Sequence, residues 1–181
     1  MKKTGLLIFA LLVCLCAFPA HAESRVSVYN LGEDTLTVHE TLYHSEEMAL
    51  SFWYDAAYLT VEDGMSEGGN SLAVYPAAAG YDMPVFMEFI LPAWDETGTL
   101  RFLTATPEAF GIQDAGEISL FLTETGLGGA WRMGTLGEIE YQFYVLWSNA
   151  GQIHVIFQRP TGAYDDTILR METVLKTVEF L

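Results

Sequence analysis

Cysteine is almost absent. The 181 residues hold two, Cys14 and Cys16, both near the N-terminus. Basic residues are scarce too: 8 Lys and Arg stand against 24 Asp and Glu, for a formal charge of -16. That balance excludes the basic face a phosphate backbone requires, so nucleic acid is not an expected partner. Two cysteines cannot build the disulfide framework of a small secreted scaffold. Long apolar runs are also missing beyond the first 22 residues, so no later segment is expected to span a bilayer as a helix. The chain contains no repeat at a fixed period and no Pro/Ser-rich linker, which makes residues 23–181 one expected domain.

The first 22 residues read as a secretory leader. Lys2 and Lys3 form a positive start, Leu6 to Leu15 an apolar stretch too short to span and stay, and Ala20-His21-Ala22 a small-x-small cleavage site. Cleavage is expected after Ala22. Lipidation at Cys14 or Cys16 is disfavoured because Val13 and Leu15 precede them where a small residue is wanted. Removal of the leader takes Lys2 and Lys3 with it, so the charge deepens from -16 to -18 and Lys176 becomes the last lysine. Both cysteines leave as well. The remaining chain then has no thiolate for zinc, iron–sulfur or nucleophilic chemistry. An exported protein follows.

Strand patterns dominate what remains. Leu36–His39, Met48–Tyr54, Leu59–Val61 and Ser71–Tyr75 are β-branched and aromatic, and Pro84–Leu91 is apolar enough for a strand covered on both faces. Ile139, Tyr141, Phe143, Val145 and Trp147 alternate with Glu140, Gln142, Tyr144 and Leu146. After the turn cluster 148–151, Ile153, Val155 and Phe157 alternate with Gln152, His154 and Ile156. This predicts a β-hairpin with one strongly apolar face. Tyr164, Ile168, Met171, Leu175 and Val178 recur at helical steps, after Pro160-Thr161-Gly162 and with Asp165 and Asp166 at the positive dipole end. A helix is expected there, with residues 177–180 leaving it as a short strand. In the stretch 95–115, Thr106-Pro107-Glu108 predicts a helix start that Gly111 closes quickly. The expected fold class is α+β: an antiparallel-rich sheet with a C-terminal helix packed on it.

In its order of elements the chain resembles small secreted PsbP-like domains. The shared features are the early run Ala49-Leu50-Ser51-Phe52-Trp53-Tyr54, the long hairpin 139–157, and a final helix followed by a short strand. The resemblance implies an α/β/α sandwich. It carries over no photosynthetic role, because no binding residue matches position by position.

Motifs that could carry chemistry fall short. His39 and His44 stand at i and i+5, about 140° apart on a helix, whereas a zinc-peptidase pair needs i and i+4 on one face. Gly69-Asn70-Ser71-Leu72-Ala73 misses the second glycine of a serine nucleophile elbow, and Pro76 follows too soon for the helix an elbow requires. His154, its conceivable base, is expected to face solvent from a strand. Residues 125–134 lack the Gly-Lys-Ser/Thr of a phosphate loop and carry Trp131 where a dinucleotide loop needs glycine, so they predict a hairpin or bulge. Acid pairs recur at Glu33-Asp34, Glu46-Glu47, Glu62-Asp63, Asp95-Glu96 and Asp165-Asp166, but adjacent carboxylates on a strand diverge. Glu62, Asp63, Glu67 and Asn70 offer hard oxygens on a glycine-bearing loop, at a spacing that matches no EF-hand. Phe52-Trp53-Tyr54 puts rings on both faces of one strand, the inward ones for the core and the outward ones for a binding surface.

No residue is therefore nominated as catalytic, cofactor-binding or metal-ligating, and no cofactor is expected. The expected function is a secreted, non-enzymatic binding domain. Its partner would be a cationic protein or peptide, without nucleic-acid binding and without membrane insertion after leader removal. A hydrolase with an unrecognised site, and a calcium-dependent or structural envelope component, are the alternatives.

Overall fold

The computed structural model describes residues 23–64, 70–78, 84–92, 98–148 and 151–181. The expected leader and its expected cleavage point, together with Glu67, Gly69 and Asp95-Glu96, lie outside the described residues.

Two antiparallel sheets form the body. The smaller runs in the order β1 (Ser24–Leu31), β2 (Asp34–Ser45), β3 (Leu50–Tyr54) and β11 (Glu179–Phe180). The larger has seven strands. Its order is β4 (Leu59–Asp63), β5 (Ser71–Pro76), β6 (Phe86–Ile90), β10 (Gly151–Pro160), β9 (Ile139–Ser148), β8 (Gly128–Leu136) and β7 (Ser119–Leu122). Two helices complete the described residues, α1 (Thr99–Ala109) and α2 (Asp166–Lys176).

The larger sheet is covered on both faces. On one, α2 and β3 deliver Ile168, Met171, Val174 and Phe52 onto Phe89 and Val155. Phe52 stacks on Phe89 at 5.5 Å and on Tyr43 at 5.1 Å between ring centres. On the other, α1 and the segment after it place Leu103 and Ile112 against Ala130, Phe143 and Val145. The result is the expected α+β fold, with the C-terminal helix on the sheet. Asp165 caps α2, its Oδ1 accepting from the N–H groups of Thr167 and Ile168 at 3.0 Å each. Ile168, Met171 and Leu175 form the buried stripe as the periodicity predicts, and Glu179–Phe180 is the short strand expected after it. Tyr164 precedes the helix and is exposed.

Several elements depart from expectation. The helix before Gly111 does not begin at Thr106. It runs from Thr99, with Pro107 in its last turn. A proline cannot donate to the carbonyl four residues back, that of Leu103. Arg132 Nη1 occupies this carbonyl at 3.2 Å, so the break is repaired from β8. Gly111 at φ 84 then ends the helix as expected.

The hairpin 139–160 forms as expected, with Gly151 opposite Ser148 and Pro160 opposite Ile139, but its apolar residues do not share one face: Ile153, Val155 and Phe157 lie beside Leu146, Tyr144 and Gln142, on the opposite side of the sheet from Phe143 and Val145. Nor does it have a polar outer face. Glu140, Gln142, Tyr144 and His154 are all buried, because β9 and β10 sit in the middle of a seven-stranded sheet covered twice over.

Strand β1 carries an inverted pattern. Val26 and Val28 face outward, while Arg25, Ser27 and Tyr29 turn inward to the buried carboxylate of Glu40. No apolar periodicity marks such a strand.

Candidate functional site

The residues singled out by sequence fall into separate places. His39 and His44 are both exposed on β2, five positions apart on a strand and so on opposite faces. They share no site.

Ser71, Glu88 and His154 do come to one face of the larger sheet. Ser71 on β5 and His154 on β10 are each paired with Ile90 of β6, so the three residues form one row across neighbouring strands. Two strand spacings, about 10 Å, separate Ser71 from His154, with Ile90 between them. The Ser71 hydroxyl donates to Glu88 Oε1 at 2.8 Å. His154 is buried at 4% exposure, contrary to the solvent-facing expectation, and stacks under Phe102 of α1 at 4.1 Å. Its Nε2 has no hydrogen-bond partner among the described residues. Burial lowers its pKa from 6.5 to about 4, so it is a neutral ring at physiological pH. A base that cannot reach the hydroxyl does not activate it. Ser71 also opens a β-strand rather than a strand-to-helix turn, which removes the elbow geometry.

The acidic loop is only partly described. Glu62 Oε1 accepts from the Tyr75 hydroxyl at 2.6 Å, which raises the tyrosine's pKa above 10.0. Asn70 and Ser71 line one wall of a polar cleft of about 320 Å³ whose other wall is the β2–β3 turn, Ser45 to Met48. That turn closes through Ala49 in the left-handed region at φ 49. No group of three or more metal-binding side chains converges among the described residues. The glycine-rich stretch is the expected hairpin: Gly126 turns at φ 90 and Gly128–Leu136 is β8. A Cβ on Gly129 would lie 2.4 Å from the Val145 carbonyl oxygen, so the close approach of β8 to β9 requires glycine there.

Of the Phe52-Trp53-Tyr54 rings, Phe52 is fully buried and Tyr54 meets it edge-on at 6.2 Å. Trp53, on the opposite face, is half-buried under the Arg25 guanidinium at 4.6 Å. It is not the bare aromatic platform the sequence allows.

Three buried polar assemblies were not visible in the sequence. Arg170, on α2, donates from Nε to Asp55 at 2.9 Å and from Nη1 to Asp166 at 2.8 Å, with the Tyr58 ring 4.0 Å from its Cζ. Burial opposes its charge, but the two carboxylates hold its pKa above the ordinary guanidinium value. On β9, Tyr144 donates to Gln142 at 2.6 Å, Gln142 to Glu140 at 2.6 Å, and Arg159 joins Glu140 at 2.8 Å to Glu172 at 3.2 Å. Burial and the nearby Glu172 push the Tyr144 hydroxyl well above its ordinary pKa. The third assembly surrounds Glu40, where burial and a 2.6 Å hydrogen bond to Glu40 raise the Tyr29 pKa.

One surface feature also escaped sequence reasoning. Strand β7 is the last strand of the larger sheet and nothing pairs with its outer edge among the described residues. Leu120 is 84% and Leu122 68% exposed there. Phe121 between them packs against Tyr144 at 5.0 Å. The segment Ile118–Leu122 is too short and too weakly alternating to be recognised as a strand, and only its exposure sets it apart.

No protein-family model matches the chain, and no curated protein matches it in sequence. Among solved structures the chain is similar to the solution structure of cyanobacterial PsbP (CyanoP) from Synechocystis sp. PCC 6803. The alignment has a TM-score of 0.54 and 16% identity, and covers 84% of this chain and 98% of that one. At that identity the likeness is one of fold. The chain has a PsbP-like α+β fold.

Proposed function

We propose that the chain is an exported, non-enzymatic interaction domain whose acidic surface takes a cationic protein or peptide. The observation that carries this reading is where the cations go. Arg25 is held by Glu40, Arg159 by Glu140 and Glu172, Arg170 by Asp55 and Asp166, and Lys176 by Glu172. Arg132 is turned onto the carbonyls of Leu103, Ala115 and Gly116. Five of the six basic residues beyond the leader-like segment are thus engaged with the protein's own acceptors, Arg101 being exposed on α1, and with 24 acids against 8 bases the carboxylates in excess face outward. Such a field raises the encounter rate with cations and repels nucleic acid and anionic lipid. The leader-like N-terminus supports an extracytoplasmic destination.

Salt titration tests this. Binding to a panel of basic proteins and to Ca²⁺ is measured at low salt and at roughly 0.5 M, where the Debye length is about 4 Å. Saturable binding to a basic protein, weakened by salt, is expected. No saturable binding at low salt would leave the acids with a role in solubility alone. A hydrolytic activity lost in a folded Ser71→Ala variant would overturn the non-enzymatic part.

A further inference from the structure

Resting on the interaction-domain reading above, we propose that the outer edge of β7 is the docking site, and that its occupant is an extended partner segment with aliphatic residues at alternate positions and a basic residue at each end. The segment would add to the larger sheet as an eighth strand.

The backbone is set for it. Thr123 N–H donates to Leu127 O at 3.0 Å, so Thr123 is a hydrogen-bonded position of the β7–β8 ladder. Antiparallel ladders alternate, which turns the polar groups of Phe121 and Ser119 toward β8 as well. The N–H and C=O groups of Leu120 and Leu122 therefore point off the free edge. Native sheets usually blunt such an edge with charge, proline or a very short strand. Here Ser119–Leu122 is short but has neither charge nor proline.

The edge is also held in place at both ends. Before it, Arg132 binds the carbonyls of Ala115 and Gly116 at 3.0 and 2.6 Å. After it, the Thr125 hydroxyl, which lies 2.6 Å from that of Thr123, donates to Val178 O at 2.6 Å, and Glu124 N–H donates to Lys176 O at 2.8 Å. A strand fixed this way loses little further freedom on pairing.

Charge selects the occupant. Glu117 and Glu124, both exposed, bracket the strand seven positions apart. Glu117 also lines a shallow cavity of about 470 Å³ at the start of β7, with Thr104, Ala115 and Ile118. A second copy of this chain fits badly. Antiparallel self-pairing centred on Leu120 would bring Glu117 of one copy within one residue of Glu124 of the other, at both ends. A segment with Lys or Arg about seven residues apart puts a cation beside each carboxylate instead, and its alternate aliphatic side chains lie beside Leu120 and Leu122.

The probe is the synthetic peptide Lys-Thr-Val-Thr-Val-Thr-Val-Lys, titrated into the protein at low and at high salt. Saturable binding is expected, weakened about tenfold by roughly 0.5 M salt. N-methylation of the valines should abolish it, since it removes donors from the peptide edge without touching the protein. Leu120→Pro should also abolish it, because the ladder alternation leaves that N–H without a bond to β8 and β7 has no other neighbour among the described residues. Should Leu120→Pro not fold, the surface double variant Glu117→Lys/Glu124→Lys, which alters no ladder contact, should weaken binding roughly tenfold. Absence of saturable binding by the unmodified protein overturns the proposal. So does undiminished binding by folded Leu120→Pro, or a dimer in sedimentation that Leu120→Pro dissolves, since the occupant is then a second copy. In each of these cases the interaction-domain reading stands if the basic-protein panel still binds in a salt-sensitive way; if the panel fails too, both fall.

Discussion

The β9–β10 hairpin has two covered faces held by different forces. Toward α1 it presents Tyr141, Phe143, Val145 and Ile156, and the cover is rings and aliphatics: Phe110 meets Phe143 at 5.6 Å and Phe102 stacks on His154. Toward α2 it presents Leu146, Val155 and Phe157 side by side with Glu140, Gln142 and Tyr144, and there the cover includes a hydrogen-bonded chain reaching Glu172 on the helix. The apolar face tolerates one orphan polar atom, His154 Nε2. The polar face leaves none in that chain. A buried polar group is cheap only when every partner is present. The α2 face should therefore respond to loss of single charges, and the α1 face to pH and to ring size.

The α2 side offers the largest effect. Met171 is fully buried at the centre of the helix stripe. Met171→Asp removes that burial and drives a carboxylate inward with nothing to pair it. A loss of about 4 kcal/mol or more is expected, read as a collapsed urea midpoint. A midpoint that barely moves would mean the helix face does not hold the sheet. Next comes Arg170→Ala, which strands Asp55, itself buried at 4% exposure. Its cost should be about 3–5 kcal/mol. Adding Asp55→Asn should restore part of that loss, and failure to restore any of it would show that the arginine acts through its packing on Tyr58 rather than through its charge.

How much of this was legible follows the same divide. The α2 stripe, the existence of the hairpin and its turn, and the fold class could be read because each rests on patterns local in sequence. The burial of Glu140, Gln142 and His154 could not, since it depends on where β9 and β10 fall in the strand order, and strand order is set by contacts distant in sequence. A polar residue alternating with apolar ones predicts a solvated face only for a sheet covered once. β1 was hidden for a related reason: Glu40 draws Arg25, Ser27 and Tyr29 inward, and the valines are left outside. The start of α1 was misplaced because Pro107 normally marks a first turn, whereas here Arg132 makes it acceptable in the last.

The α1 side should show itself in acid. His154 titrates near 6.5 in the unfolded chain and about 4 in the folded one. Between those values the unfolded state holds the proton and the native state does not, so stability falls as pH drops through the window and the loss levels off below about 4. The full contribution is about 3 kcal/mol. His154→Leu should remove this slope, leaving the variant less pH-sensitive than the parent between pH 6.5 and 4. Equal slopes would mean the ring is solvated in solution. Phe102→Ala, which opens the cover, should move the histidine's NMR titration back toward 6.5.

The smallest effect belongs to the rim of the polar chain. Glu172 bridges Arg159 and Lys176 at 3.2 Å each, but its side chain keeps 21% of its exposure and that of Lys176 41%. Partly solvated pairs gain little, because water competes for both charges and salt screens what remains. Glu172→Gln should cost no more than about 1 kcal/mol, and less still at high ionic strength. Glu140→Gln, one link deeper, leaves Arg159 facing a neutral amide at a buried position and should cost more, with little change on adding salt. Urea titration of both variants at two ionic strengths measures the difference. Equal costs with equal salt dependence would show that the chain is wetted along its whole length, and the contrast between the two faces of the hairpin would then rest on shape alone.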